Sequence, residues 1–304
     1  KIEYDSRKVT QNDVFVAIRG YKTDGHKYIE QAVKNGAAAV IAEEHTENIK
    51  ACEIIVDNTR RALSLISATY YGEPAKKMKL IGVTGTNGKT TTTYLVKSVL
   101  EFTGHKVGLI GTNQNMIGNK VIPAEHTTPE SLELQKLFAD MVSEGAEYCI
   151  MEVSSHSLCL DRVYGIPFYI GAFTNLTQDH LDYHKTFESY FAAKARLFSK
   201  DYPAKRVINI ESAWGKELLK RCSANEDAIT TTGFDASAQI HPVAVEYGSA
   251  ETTVTLSVRG SNITFTYPLV GRFNVENIMT AFGVAMHLGY LPSTIAEALR
   301  DAPA

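Results

Sequence analysis

Cysteine is scarce in this sequence. Cys52, Cys149, Cys159 and Cys222 stand far apart among 304 residues, and no two form a CxxC pair. That spacing excludes a disulfide scaffold and points to free thiols in a reducing, cytoplasmic setting. Basic excess is absent too: 31 Lys+Arg against 34 Asp+Glu leave a net charge of −3. No charge surplus is present to drive binding along a nucleic-acid backbone. The longest apolar stretches, Ala37–Ala42 and Ile166–Phe173, fall far short of the ~20 residues a membrane span needs. No leader peptide is visible, because Lys1 begins inside folded-looking sequence. Repeats and low-complexity segments are missing as well. With 44% hydrophobic and 21% charged residues, what remains is a globular chain long enough for two domains.

Gly72–Lys79 is a turn-like basic stretch between a helical segment, Arg60–Tyr71, and an apolar run. It marks the expected boundary between domains 1–78 and 79–304. Before it, Val14–Ile18, Ala38–Ala42 and Ile54–Val56 read as short strands. The helical segment Tyr28–Asn35 lies among them, closed by Gly36. Beyond it, Leu80–Val83, Val107–Ile110, Cys149–Val153, Tyr169–Phe173 and Arg206–Ile210 are unbroken apolar runs, as suits parallel strands buried on both faces. A helix follows Leu95, Val99 and Phe102 to Gly104, and another opens at Thr127-Thr128-Pro129-Glu130 with Pro at its first turn. The predicted fold is α/β: a small N-terminal α/β domain, then a doubly wound, mostly parallel sheet. Alternating residues around Gly260-Ser261 add a small antiparallel appendage, and helices over Val275–Leu288 and from Pro292 end the chain.

The strongest motif is the run Leu80–Thr92, containing Gly85-Thr86-Asn87-Gly88-Lys89-Thr90-Thr91. A strand runs into a glycine turn and then a helix, so successive N–H groups can wrap a phosphate. Lys89 would reach the outer phosphates and Thr90 would hold Mg²⁺. The spacing departs from the strict pattern, which wants Gly where Val83 stands.

Glu152, within Met151–His156, ends a predicted buried strand. It is either a second ligand to the same ion or a solvated strand end. His180 and His184 lie four apart in Thr174–His184, a spacing open to a zinc pair, a hard-cation or substrate role, or simple capping. Lys194 falls in the middle of an apolar stripe on the helix Phe187–Phe198. A buried ammonium there must snorkel, pair with an acid or be chemically altered. Asn274 and Asn277 open the last long helix, where Asn274 either caps it or joins Asn277 in presenting amides to a nucleotide base.

Together the phosphate loop, Thr127-Thr128-Pro129, Met151–His156, Asp161-Arg162-Val163, Phe173–His184 and Gly271–Asn277 resemble the Mur ligases of peptidoglycan synthesis. The likeness runs from Asp5-Ser6-Arg7 to the C-terminal helix and is strongest to the diamino-acid-adding members. Folylpolyglutamate synthases share the phosphate loop but should lack a unit like residues 1–78. The resemblance implies a UDP-binding domain, an ATPase domain and a third domain, absent here, that brings the amino acid. Ser6, Tyr21, Lys22, Thr23, His126, Thr127, Thr128, Ser154 and Arg162 match positions that hold UDP-N-acetylmuramoyl-L-alanyl-D-glutamate. Some members carry Gln at the place of Leu160 and Asn at that of His126. Thr90 and Glu152 match ligands of one Mg²⁺, and His180 matches a ligand of a second. Lys194 matches a lysine carried as a CO₂-derived carbamate, and Asn274 and Asn277 match residues near the adenine of ATP. The implied enzyme is a cytoplasmic, monomeric, ATP-dependent ligase that adds a diamino acid through an acyl phosphate. Nucleic acid and membrane are not among the partners expected of it.

Overall fold

The computed structural model describes residues 1–20, 23–202, 205–222 and 228–302. Tyr21 and Lys22, both expected at the UDP site, lie outside the described residues.

Two sheets organise the chain. The first is four-stranded and wholly parallel, in the order β1 (Ile2–Glu3), β2 (Asp13–Val16), β3 (Ala37–Ala42), β4 (Cys52–Ile55). Its helices are α1 (Ile29–Lys34) and α2 (Thr59–Tyr70). Asn58 caps α2, its side chain accepting from the Arg61 N–H at 3.0 Å. Gly36 follows α1 at φ +110°, where a Cβ would meet Gln11 Oε1 at 2.7 Å.

The second sheet has eleven strands. Its parallel centre places β5 (Lys79–Thr84) between β9 (Tyr148–Glu152) and β10 (Phe168–Phe173). Strand β6 (Val107–Ile110) lies beyond β9, while β11 (Lys205–Asn209) and β12 (Ile229–Thr232) lie beyond β10. The strand order therefore reverses at β5, the switch point where open parallel sheets bind their ligands. The expected antiparallel strands are β13 (Ile240–Tyr247), β14 (Thr252–Val258) and β15 (Ser261–Tyr267), and they continue this same sheet. A hairpin of β7 (Asn115–Ile117) and β8 (Lys120–Ile122) extends the other edge. Strands of three residues are too short to show a period, so the sequence gives no sign of them.

Helices cover both faces: α3 (Lys89–Phe102), α9 (Arg272–His287) and α10 (Pro292–Arg300) on one, α4 (Ser131–Ser143) and α7 (Phe187–Ala195) on the other. Each face has its own apolar core. Leu80, Phe138, Met151, Phe173 and Leu197 belong to one, and Val83, Leu95, Ile170 and Phe282 to the other.

Two helix starts differ from expectation. Helix α4 begins at Ser131 with Glu130 at its cap, two residues beyond Pro129. Thr128 is engaged elsewhere, its hydroxyl donating to Glu152 O at 2.8 Å and accepting from Ser154 N at 3.1 Å. The Thr127–Glu130 segment is thus strapped across the end of β9. Helix α9 starts at Arg272, so Asn274 stands inside its first turn and is not its cap. Its Nδ2 donates to Val270 O at 2.9 Å.

Phe138 is fully buried between α4 and the large sheet. Phe138→Ala is expected to lower unfolding free energy by about 3–5 kcal/mol, read as a lower denaturant midpoint at unchanged m-value.

Candidate active site at the phosphate loop

The loop between β5 and α3 is fixed from outside. Thr86 N donates to Asn175 O at 3.0 Å and Asn87 N to Asn175 Oδ1 at 2.9 Å, while Thr174 Oγ1 donates to Asn87 O at 2.7 Å. The segment after β10 therefore serves as a backing strip. The two loop glycines cannot be replaced without collision. A Cβ on Gly85 would stand 1.9 Å from Thr174 Oγ1, and one on Gly88 (φ +82°) would stand 2.1 Å from Asn277 Oδ1. Asn277 Nδ2 donates to Asn274 Oδ1 at 3.2 Å, so the paired amides of α9 are held against the loop. Thr91 lies half-buried in the first turn of α3.

Lys89 Nζ donates to Gly85 O at 3.0 Å and to Thr86 O at 2.8 Å. Lys194, 2% exposed, donates from Nζ to the same Gly85 carbonyl at 2.7 Å. Its ammonium therefore neither snorkels nor pairs with an acid. Burial pushes the Lys194 amine well below the usual lysine range, and the neighbouring Lys89 charge adds to the shift. Burial lowers Lys89 too, with Glu152 and Asp179 opposing.

Tyr190 is a residue the sequence shows only as part of an apolar stripe. Its ring lies under the Lys194 ammonium, 4.5 Å from Nζ to the centroid, and its hydroxyl is 3.2 Å from Thr86 Oγ1. His184 stacks on that ring at 4.9 Å and hydrogen-bonds Ser155 Oγ through Nε2 at 2.8 Å. Burial pushes His184 down to about 4, so the imidazole is neutral at physiological pH. His180 has a left-handed backbone (φ 51°) at the start of α6 (Leu181–His184), and its ring is 5.0 Å from that of His156. The rings of His180 and His184 share neighbours, both lying against His156 (5.0 and 5.6 Å) and Tyr190 (6.2 and 4.9 Å). Among the described residues no three His, Cys, Asp or Glu side chains converge as metal ligands.

Glu152 is 1% exposed and so is not a solvated strand end. Its carboxylate accepts from Thr90 Oγ1 at 2.9 Å and from Thr112 N and Oγ1, both at 3.0 Å. A buried carboxylate and a hydroxyl side by side at the loop are the oxygen donors a hard divalent cation takes when phosphates complete its shell.

Two clefts hold the remaining predicted residues. One, of about 330 Å³, is lined by His126, Thr127, Thr128, Ser154, Arg162 and His180, with His156 and Leu160 added. The other, of about 900 Å³, opens on the first sheet and is lined by Ser6 and Thr23 among others. Arg162 is aimed by its neighbours. Nη1 donates to Thr128 O at 2.9 Å, and Nε forms an ion pair with Glu130 at 2.8 Å.

A strand, a glycine loop carrying Lys and Thr, and a helix at the switch point of a parallel sheet define a phosphate-loop nucleotide-binding fold. The chain belongs to the Mur ligase family: residues 83–285 match the Mur ligase middle domain and residues 1–71 match the Mur ligase family catalytic domain. It is 48% identical to the UDP-N-acetylmuramoyl-L-alanyl-D-glutamate--2,6-diaminopimelate ligase of Clostridium botulinum, over 100% of this chain and 62% of the relative. The protein of the same name from Clostridium tetani is 45% identical over 98% of this chain and 61% of its own length. A solved structure of a ligase of that name superimposes with a TM-score of 0.88 at 31% identity, covering 100% of this chain and 63% of the other. The chain therefore spans a little over three fifths of the proteins it matches.

Because the folded chain holds Lys194 and Lys89 below their ordinary range, the unfolded state binds more protons between the lowered folded value and the unfolded one near 10.4. Stability is expected to rise with pH through that window in CO₂-free buffer. In Lys194→Met the slope should flatten, as read by denaturant titration across the same pH range.

Proposed function

We infer that this chain forms the UDP-muramoyl-binding and ATP-binding parts of an ATP-dependent ligase that joins a diamino acid to UDP-N-acetylmuramoyl-L-alanyl-D-glutamate. The division falls at residue 78, between a UDP-binding domain and an ATPase domain, and the amino acid is brought by a domain beyond this chain. Meso-diaminopimelate is the favoured amino acid and L-lysine the alternative. One observation carries the reading. The cleft of His126, Thr127, Thr128, Ser154, Arg162 and His180 is joined to the phosphate loop, because Thr128 is bonded to the backbone of the same Glu152 whose carboxylate meets Thr90.

In this reading Arg162, Thr127, Thr128 and Ser154 hold the dipeptide, so that its D-Glu side-chain carboxylate faces the outer phosphate of ATP. A carboxylate is a poor electrophile until phosphorylated, and the work of the site is positioning and charge neutralisation. Lys89 leaves the carbonyls of its own loop for the phosphates, while Asn274 and Asn277 lie toward the base. Thr90 and Glu152 would hold one Mg²⁺, and His180 with a Lys194 carbamate a second; these ions would neutralise charge on the transferring phosphoryl group. The Lys194 environment supports carbamate formation, since only the neutral amine attacks CO₂ and burial favours that form. The amine of the incoming amino acid then attacks the acyl phosphate, and phosphate leaves from the tetrahedral intermediate. Among the described residues no helix is long and apolar enough to cross a membrane.

The reading is tested by calorimetric titration of the 304-residue chain with UDP-N-acetylmuramoyl-L-alanyl-D-glutamate, its L-alanyl precursor and a folate substrate. The dipeptide form should bind tightest. Preference for the precursor would move the enzyme one step earlier, and preference for folate would overturn the assignment. In the full-length ligase, Lys89→Ala should abolish turnover. Lys194→Ala should lose activity and regain part of it with added short carboxylates, and failure of that rescue would count against the carbamate.

A further inference from the structure

The arginine expected to grip the dipeptide does not stand by itself. Glu130, the residue before α4, faces Arg162 Nε at 2.8 Å on one side. On the other side it meets Arg60 of α2, whose Nη1 lies 3.2 Å from Oε2 and 3.4 Å from Oε1. All three side chains are largely shielded from solvent, at 12% (Arg60), 13% (Glu130) and 16% (Arg162) exposure. Screening there is weaker than at the surface. Arg60 makes two further bonds. Its Nη1 reaches Leu160 O in the wall of the smaller cleft at 3.4 Å, and its Nε donates to Arg19 O beside the first sheet at 2.9 Å. Arg60 does not itself line that cleft.

Neighbouring residues repeat the pattern. Arg61 pairs with Asp161 at 3.2 Å and stacks its guanidinium over Tyr164 at 4.7 Å, while Ser64 Oγ donates to Tyr164 O at 2.6 Å. One face of α2 therefore fastens the segment 160–164 that carries Arg162.

We propose that Arg60 is a positioning residue for substrate specificity: through the shared carboxylate of Glu130 it fixes the angle at which Arg162 meets the acidic dipeptide. The N-terminal unit thereby shapes the dipeptide end of the site as well as the nucleotide end. The physical reason is charge: Arg162 Nε meets Glu130 Oε1 as an ion pair without a hydrogen bond, so its angle follows wherever that carboxylate is held. Glu130 can hold Arg162 in one orientation only if its own carboxylate is held, and Arg60 is the group that holds it while also bracing the Leu160 carbonyl. With Arg60 gone, Glu130 is free to close wholly onto Arg162 and draw it from the cleft. The proposal rests on the functional reading above.

The test compares wild type, Arg60→Met, Arg60→Lys and Glu130→Gln, each as the 304-residue chain. Titrations use UDP-N-acetylmuramoyl-L-alanyl-D-glutamate, UDP and ATP, with thermal unfolding run alongside. Arg60→Met should weaken the dipeptide nucleotide by about ten-fold or more, while UDP and ATP bind as in wild type. Arg60→Lys should recover part of the loss, since a point charge restores the pair but not the second bond to Leu160 O. Glu130→Gln should weaken the same ligand selectively. Equal dipeptide affinity in wild type and Arg60→Met would overturn the proposal, as would parallel losses for all three ligands with a collapsed melting temperature. If wild type fails to bind the dipeptide nucleotide at all, the functional reading falls first and takes the coupling with it.

Discussion

A single carbonyl oxygen, that of Gly85, accepts hydrogen bonds from two lysines, Lys89 at 3.0 Å and Lys194 at 2.7 Å. Two amines converge there in a region largely closed to water; burial lowers both, and the Lys89 charge further disfavours the charged form of Lys194. Such an arrangement is costly unless something anionic offsets it. Asp179 opposes both shifts and Glu152 that of Lys89, while the carbonyl dipoles of the loop and the face of Tyr190 meet the amines directly. The site thus holds two amines at the loop, with Lys194 pushed toward its neutral form. The loop that carries this carbonyl is braced heavily by neighbouring segments.

The bracing comes from sequence-distant parts. Thr174 and Asn175 hold the loop from the end of β10, Asn277 closes on Gly88 from α9, and Tyr190 reaches Thr86 from α7. Each arises just beyond a strand end or at a helix start, where a doubly wound sheet gathers its loops. Glycine at 85 and 88 is a consequence of this crowding as much as of phosphate approach, because the clashing atoms belong to the protein itself. His184 extends the brace by one more layer. Neutral and stacked on Tyr190, it ties the α6 turn to Ser155 at the start of α5 (Ser155–Cys159).

Much of this was legible in the residues. Apolar runs gave most of the parallel strands to within a residue or two, since burial on both faces leaves little room for polar side chains, but not β1, of two residues, or β12, whose Ile-Thr-Thr-Thr is no apolar run. The phosphate loop was legible because its chemistry is local, packed into consecutive residues. Lys194 stood out for the opposite reason, a charge where periodicity demands an apolar group. What could not be read was anything made by tertiary geometry. Thr128 looked like a helix cap and became a strap on Glu152. Asn274 looked like a cap but lies inside α9, because Gly271 at φ +98° takes the cap position. Tyr190 hid among apolar neighbours, for a tyrosine on a stripe carries no sign that its hydroxyl has a partner. Arg60 and Glu130 appear in the sequence only as the start of one helical segment and part of the opening of another, and tertiary packing alone makes them face each other.

That packing also bears on how the two sheets divide the labour. On the proposed reading the cleft meets an acidic peptide, which calls for a cation held at a fixed angle, and a cation held only by its own loop would swing with that loop. Here Arg162 is gripped on one side by Thr128 O, bonded in turn to the strand that carries Glu152, and on the other by a carboxylate anchored to α2. The first grip references it to the phosphate loop and the second to the first sheet's helix α2. An arginine tied to both frames can set the distance between the two ends of a long substrate. Neither sheet alone has the geometry to do so.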